Sequence, residues 1–252
     1  MFNWTNINKI LIYDGTLEGL FTCVFDMFKN KTLPLNIITK DNPHSLSLID
    51  EFIEVPTDYN KSYRVFSSLN NNLPSAMYYV YNGFLCANEA KEMHILKYMI
   101  YAYKYGENVD NMHELKDVFA IHALAKKTTL EAHRFMGFVR FSEIGENLFY
   151  SKIEPDNNIM EALCRHFKNR LPSQNWIIHD SKRNIAGVYN TNEYEILENS
   201  QIKIPKTSQK EKEYQDLWKL FFNTVAIESR KNERQQTLFM PKRYWKNILE
   251  VH

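Results

Sequence analysis

Apolar runs and helical periodicity alternate along the first 40 residues. The segment NKILIYD has the composition of a short strand. In the following GTLEGLFTCVFDMFKN, apolar residues recur at the spacing of one helix face, and LNIITKD has the pattern of a second strand. The order strand, helix, strand predicts a small α/β unit at the start of the chain.

The pattern is helical from about Asn60 to Tyr105. There EAKEMHILKYMIYAYKYG ends on a glycine, as helices often do. The next apolar segment, MHELKDVFAIHALAKKTTLEAHRF, predicts one long helix or two short ones.

The period then changes to that of strands. A hairpin around the GEN turn is predicted for MGFVRFSEIG and NLFYSKIEP. An amphipathic helix is predicted for NNIMEALCRHFKNRL, and a second strand pair for NWIIHDSKRNIAGVYN with EYEILEN. We therefore predict an α+β fold with a small N-terminal α/β unit over 1–85. Residues 86–252 are predicted to form a helix-rich domain with antiparallel strand pairs and a basic C-terminal helix, although the pattern also fits a single domain.

The last predicted helix starts near Glu213 and changes character along its length. Its first part has the i, i+3, i+4, i+7 spacing of a buried stripe, formed by Trp218, Phe221, Phe222, Val225 and Ala226. Arg230 and Arg234 follow one turn apart, and after Pro241 comes the run KRYWK. Cations interleaved with rings suit phosphates and bases, so this tail predicts a nucleic-acid surface. The alternative is that Tyr244 and Trp245 pack the tail against the core.

Charge is unevenly distributed along the 252 residues, whose net charge is +1. Residues 1–125 carry 10 Lys and Arg against 14 Asp and Glu, a net charge of −4. Residues 126–252 carry 21 against 16, a net charge of +5. A polyanion is therefore expected to meet the C-terminal half.

Membrane and metal functions are not expected. No apolar run reaches the roughly 20 residues that cross a bilayer, and the N-terminus lacks a signal-peptide pattern, which predicts a cytoplasmic protein without membrane association. The three cysteines, Cys23, Cys86 and Cys164, form no CxxC pair and are predicted to be buried thiols. We expect no metal and no cofactor in this chain.

Several basic residues before the tail are candidates for phosphate contacts. Arg134 and Arg140 flank Gly137, the first predicted at a helix end and the second on a strand. His166 and Arg170 share one helix face and could grip a phosphate. The alternative for Arg134 and Arg140 is a surface salt bridge. The alternative for His166 and Arg170 is a solvent-exposed helix end, whose cations suit the helix dipole.

His179 and Asp180 lie at the end of a predicted strand. Alternation places Trp176, Ile178 and Asp180 on one face, and His179 on the other. Asp180 could orient a histidine, hold a metal or act as a base, or it could open a hairpin turn. The sequence contains no Walker A, GxGxxG, GxSxG or HExxH motif.

Five segments together resemble a known bacterial family of DNA metabolism proteins. They are YDGTLEGLFTCVF, GFVRF, HFKNR, WIIHDSKR and LWKLFFNTVAIESRKNERQQTLFMPKRYW. In that family the domain is encoded beside a radical SAM protein of DNA modification or repair. Some members are fused to a uracil-DNA-glycosylase-like domain. The family has no firmly assigned reaction, so the resemblance transfers no catalytic residue to this chain.

Two functions are compatible with these observations. The first is a nucleic-acid-binding protein, with DNA expected over RNA, that works in DNA repair or modification as partner of a radical SAM enzyme. Its predicted binding residues are Arg134, Arg140, Arg170, Arg230, Arg234, Lys242, Arg243 and Trp245. The second is a DNA-processing enzyme, glycosylase-like or hydrolytic, with His166, His179 or Asp180 as its catalytic candidates.

Overall fold

The computed structural model describes residues 4–40 and 51–198, the run 240–247, and eight single residues between 214 and 238. It contains helices and strands in the predicted α+β class. The chain divides into two compact units, residues 1–128 and 129–252. The domain boundary predicted after residue 85 stays a prediction, because a compact unit is not by itself an independently folding domain.

The first unit begins with the predicted strand, helix and strand. They are β1 (Thr5–Tyr13), α1 (Leu17–Asn30) and β2 (Thr32–Thr39), followed by β3 (Glu51–Glu54). The sheet has the order β2-β1-β3, and both pairs are parallel. Thr16 caps α1, because its Oγ1 accepts a hydrogen bond from the Gly19 amide at 3.0 Å. The predicted order of strand, helix and strand is confirmed.

Helices make up the rest of the first unit, as predicted for residues 60–105. They are α2 (Tyr59–Asn72), α3 (Pro74–Phe84), α4 (Lys91–Tyr105) and a 3₁₀ helix (Gly106–Asn111), after which α5 (Lys116–Phe138) begins. Gly106 ends α4 with a φ of 63°, a backbone conformation that favours glycine. Since α5 is continuous, one long helix and not two short ones forms in the segment MHELKDVFAIHALAKKTTLEAHRF.

The second unit contains a five-stranded sheet and one helix connecting two of its strands. The elements are β4 (Ser142–Gly145), β5 (Leu148–Ile153), α6 (Met160–Arg170), β6 (Asn175–Asp180), β7 (Ile185–Tyr189) and β8 (Tyr194–Glu198). The sheet order is β4-β5-β6-β7-β8. Among the described strands of this sheet, β5 and β6 pair in parallel and the other neighbours pair antiparallel, because α6 provides the crossover between β5 and β6.

One face of this sheet packs against α6. Alternate residues of β6 are buried, including Trp176, Ile178 and Asp180, as the alternation predicts. Gly187 on β7 allows the close approach, since a Cβ there would lie 2.2 Å from Cys164 Sγ on α6. The predicted burial of the cysteines is confirmed for Cys23, Cys86 and Cys164.

Two predictions about strands are wrong. Arg140 is not on a strand, because α5 continues to Phe138 and β4 begins only at Ser142. The buried residues Ala132, Phe135 and Val139 keep a helical period there. The strand pair predicted over 175–198 is a three-stranded meander. Its second turn forms at Asn190, whose side-chain oxygen accepts hydrogen bonds from the backbone amides two and three residues later.

Part of the predicted C-terminal helix lies outside the described residues. These include the whole predicted apolar stripe, Trp218, Phe221, Phe222, Val225 and Ala226, together with Arg230. Tyr214, Leu217, Leu220 and Thr224 are described, and they are helical and exposed. Across the described ranges, no helix combines the length and apolar character needed to cross a bilayer.

Candidate nucleic-acid interface

A buried carboxylate fixes the loop between β5 and α6 to α5. Glu131 on α5 is only 6% exposed. Its Oε1 accepts a hydrogen bond from the Asp156 amide at 2.8 Å. Its Oε2 accepts hydrogen bonds from the amide and the side-chain nitrogen of Asn157, at 2.8 and 2.6 Å. These donors compensate the burial of the charge and hold the loop at one position.

The PKRYW segment, residues 241–245, docks onto the same carboxylate. Tyr244 is buried in the 3₁₀ helix Lys242–Asn247, and its hydroxyl donates a hydrogen bond to Glu131 Oε1. Its ring meets Phe135 edge-on at 4.8 Å between centroids. Burial, and then the bond to Glu131, raise the pKa of Tyr244, so the hydroxyl remains a donor at neutral pH. Tyr244 therefore belongs to the core, as the alternative interpretation of the tail proposed.

Two exposed cations share one carboxylate beside this docked segment. Arg243 Nη2 lies 2.9 Å from Asp156 Oδ2, and Lys182 Nζ lies 3.5 Å from Asp156 Oδ1. Their side chains are 56% and 53% exposed, and that of Asp156 is 44% exposed. Exposed pairs of this kind contribute only about 0–1 kcal/mol to stability, so neither cation is committed to a strong ion pair.

Asp180 has a different environment, because it closes the β6–β7 turn. Its buried carboxylate accepts hydrogen bonds from the Lys182 amide at 2.9 Å and the Arg183 amide at 3.3 Å. Arg183 Nη1 lies 2.9 Å from its other oxygen and also donates to the Pro155 carbonyl at 3.1 Å. Asp180 thereby positions Lys182 and Arg183 beside the Asp156 loop.

Lys242 and Trp245 lie in the same 3₁₀ helix as Arg243 and Tyr244. Lys242 Nζ lies 5.4 Å from the centroid of the Trp245 ring. Trp245 is half-buried, and its Nε1 donates a hydrogen bond to the Met240 carbonyl at 2.8 Å. A pocket of about 690 Å³ is lined by Arg234, Thr237, Leu238 and Lys242. We call Lys182 and Arg243 at Asp156, together with Lys242 and Trp245 of the 3₁₀ helix that contains Arg243, the basic site.

His179 does not join this group. It lies on the face of β6 opposite Asp180, and its Nδ1 is 2.9 Å from the Tyr150 hydroxyl. Its Nε2 is buried, and no hydrogen-bond partner lies near it in the described part of the chain. Burial and the Lys152 cation lower the pKa of His179, against the opposing effect of Asp180. The imidazole ring of His179 is therefore neutral at pH 7. Its hydrogen-bond partner is the Tyr150 hydroxyl.

His166 and Arg170 are neighbours on α6, as their spacing predicts. Burial, and then the Arg170 cation, lower the pKa of His166. Arg170 is exposed in the last turn of the helix. The phosphate contact predicted for this pair stays a prediction, and neither residue is among the described contacts of Asp156.

The two arginines near the end of α5 have separate surroundings. Arg140 donates through Nη1 to the carbonyls of Gly137 at 2.8 Å and Val139 at 3.3 Å. These carbonyls lie at the end of the helix, so Arg140 caps it. Arg134 is half-buried within α5. The phosphate contacts predicted for both residues stay predictions.

Two residues that organise the basic site, Glu131 and Asp156, do not stand out in the sequence. Lys182 and Arg183 could have been found by the KR pair in WIIHDSKR, which matches the KR of PKRYW. For Glu131 and Asp156 no local signal exists, because their role depends on partners distant in the chain.

Residues 89–250 match the family described as a domain of unknown function, DUF4130. No curated protein matches the chain. The match includes all residues of the basic site, whereas β1–β3, α2 and α3 precede it.

Proposed function

We propose that this chain, which belongs to the DUF4130 family, binds DNA through the basic site and works in DNA repair or modification. The observation that carries the proposal is the pairing of Lys182 and Arg243 with the two oxygens of Asp156. A carboxylate held between two exposed cations occupies a place that suits a phosphate group.

A DNA phosphate would replace the Asp156 carboxylate between these cations. Arg243 can offer several N–H donors to phosphate oxygens, and Lys182 supplies a point charge. Each neutralised phosphate releases a counterion, which makes the affinity depend on salt. The half-exposed Trp245 ring, already under Lys242, offers a face on which an unpaired base could stack.

The resemblance to DNA metabolism proteins supports a partnership with a radical SAM enzyme. Such an enzyme supplies its own iron–sulfur cluster, so this chain would contribute nucleic-acid binding and need no cofactor. The alternative, a DNA-processing enzyme, draws its support from the buried Nε2 of His179, which has no hydrogen-bond partner among the described residues. Asp180 fits that alternative poorly, since its oxygens are used by the turn and by Arg183.

The first test measures DNA affinity as a function of salt for Lys182→Ala combined with Arg243→Ala. We expect weaker binding than wild type and a salt slope that is smaller by about 1 for each phosphate that the variant no longer neutralises. Fluorescence anisotropy with a labelled oligonucleotide gives both quantities, and thermal melting checks that the variant is folded. No affinity for DNA at low salt in the wild-type chain would overturn the proposal.

Matched controls separate this site from general charge effects. Arg165→Ala removes an exposed cation that pairs with Glu161 in the same unit, and it should leave binding nearly unchanged. Asp156→Asn removes the competing anion and should strengthen binding by up to roughly fivefold. A weaker Asp156→Asn complex would contradict the exchange of carboxylate for phosphate.

A further inference from the structure

The 3₁₀ helix Gly106–Asn111 of the first unit contains a carboxylate held by two hydroxyl groups. Asp110 Oδ1 accepts a hydrogen bond from the Tyr98 hydroxyl at 2.7 Å, and its Oδ2 accepts one from the Ser75 hydroxyl at 2.5 Å. Burial, and then the bond to Asp110, raise the pKa of Tyr98, so this hydroxyl stays a donor at neutral pH. The two donors fix the orientation of the Asp110 carboxylate.

Asp110 in turn orients an imidazole on α5. His122 Nε2 lies 3.0 Å from Asp110 Oδ1, and both side chains are 16% exposed. Because a carboxylate only accepts hydrogen bonds, Nε2 carries the proton and Nδ1 has the lone pair. Among the described residues Nδ1 has no hydrogen-bond partner, and it is not buried. An imidazole with this tautomer, held by a carboxylate, has the arrangement of a general base.

Three neighbouring rings hold the imidazole of His122 in place. Tyr79 stacks on it with 3.9 Å between centroids and 20° between planes. The rings of Tyr98 and His113 meet it edge-on, at 6.2 and 5.4 Å between centroids. The ring position is therefore set by packing as well as by the bond to Asp110, which preorganises the base.

Two exposed rings lie near this imidazole. Tyr78 is 51% exposed, and its ring meets Tyr79 at 5.3 Å between centroids. Phe119 is 63% exposed and precedes His122 by about one turn of α5, which places both on one side of the helix. These rings offer apolar contact area to the aromatic ring of a ligand.

The charge of this region disfavours an anionic substrate. Residues 1–125 have a net charge of −4. Among the described residues, no Lys or Arg pairs with Asp110. An anion would therefore be repelled, whereas an uncharged ester with an aromatic ring would not.

We infer that Asp110 and His122 form an acid–base site that hydrolyses uncharged aryl esters. His122 Nδ1 takes a proton from a water molecule, and the water oxygen attacks the carbonyl carbon of the ester. The bond from this carbon to the aryl oxygen then breaks, and the aryl oxide takes the proton back from His122, which gives a carboxylic acid and a phenol. Asp110 is a positioning residue that stabilises the imidazolium. This activity is separate from the proposed DNA binding, because neither residue belongs to the basic site.

The first test measures release of p-nitrophenolate from p-nitrophenyl acetate by the full chain. The wild-type chain should show saturable hydrolysis that becomes faster as rising pH removes the proton from His122. For His122→Gln, kcat/KM should fall on the order of 100-fold, since glutamine cannot take the proton. A His122→Gln variant that is folded and as fast as wild type would overturn the inference. So would a wild-type chain no faster than free imidazole at equal concentration.

The matched control is His94→Gln, which changes a second histidine–carboxylate pair of the same unit. His94 Nδ1 lies 2.8 Å from Asp117 Oδ1, and in the described part of the chain no ring stacks on His94. This variant should hydrolyse the ester like wild type. An equal loss of activity in the His94 and His122 variants would show that the ring-lined site is not responsible and would overturn the inference.

Asp110→Asn tests the positioning role through the pH profile. Without the carboxylate the imidazolium of His122 is less stable, so the rise of kcat/KM should shift to lower pH. A lower rate with an unchanged profile would assign Asp110 a structural role and overturn the pair. Nitrogen NMR of the His122 ring gives an independent measurement, since a proton on Nδ1 would also overturn it. All three variants should bind DNA like wild type, so the result does not depend on the basic site.

Discussion

Two adjacent residues of the PKRYW segment have different environments. Tyr244 is 5% exposed, belongs to the hydrophobic core of the second unit and donates a hydrogen bond to Glu131. Trp245 is half-buried, and its ring lies beside Lys242. Alternating charges and rings predicted a binding surface for the whole run. The structure assigns Tyr244 to the core and leaves the role of Trp245 to experiment.

Substitution of these two residues should have opposite consequences. Tyr244→Ala should destabilise the fold by about 3–5 kcal/mol, because it removes a packed ring and a donor to a buried carboxylate. Trp245→Ala should leave the melting temperature nearly unchanged but weaken DNA binding, since stacking contributes roughly 1–3 kcal/mol per base. Thermal melting and DNA affinity of the two variants measure both effects. A Trp245 variant that melts as early as the Tyr244 variant would assign both rings to structure.

At the scale of elements, α6 lies close to the sheet because β7 has a glycine at the point of closest approach. Four residues of α6 are buried at helical spacing, namely Met160, Leu163, Cys164 and Phe167. The same helix provides the crossover that makes β5 and β6 parallel. The turn of Asp180 and the loop of Asp156 follow these two strands, which lie side by side, and this brings Lys182 to Asp156.

Gly187→Ala should destabilise the second unit by about 1–3 kcal/mol, the usual cost of overpacking a core. The added Cβ would lie 2.2 Å from Cys164 Sγ. Urea denaturation measures the loss in free energy of unfolding. Adding Cys164→Ala should recover part of that loss, since it removes the clashing sulfur atom.

Gly137→Ala is the matched control for this substitution. Gly137 is exposed within α5, and among the described residues no heavy atom lies within 4 Å of the place that an added Cβ would take. Alanine there should stabilise the helix by about 0.5–1 kcal/mol. Equal losses in the two variants would show that the approach of α6 does not determine the effect at Gly187.

At the scale of the whole molecule, the proposed basic site belongs to one of the two compact units. The basic site lies within residues 129–252, in the half of the chain with positive net charge. The proposed DNA binding would suit a partner of a catalytic subunit.

Co-purification tests that partnership at the same scale. We expect the chain to be retained with the radical SAM protein implied by the resemblance, under anaerobic conditions with an intact cluster, either directly or when DNA is added. The Lys182→Ala, Arg243→Ala variant distinguishes direct binding from bridging by DNA. If DNA bridges the two proteins, the variant should no longer be retained, whereas direct binding should be unchanged. Failure of the wild-type chain to be retained under both conditions would contradict the partnership.

Local periodicity was sufficient to determine much of the fold. The spacing of apolar residues predicted α1, α6 and the alternation of Trp176, Ile178 and Asp180, because helices and strands bury residues at fixed intervals. It failed at Arg140, where a helix and a strand compete for a short apolar segment. It also failed at β8, whose turn depends on a single asparagine side chain.

The basic site was decided by tertiary structure. Tyr244 and Glu131 are 113 residues apart in the chain and share one buried hydrogen bond. Asp156, Lys182 and Arg243 meet because β5 and β6 are adjacent and the PKRYW segment docks on α5. A sequence pattern reports the spacing of neighbours along one element. Contacts between elements depend on how those elements pack, so the composition of the tail could suggest its partner but could not reveal which ring is buried.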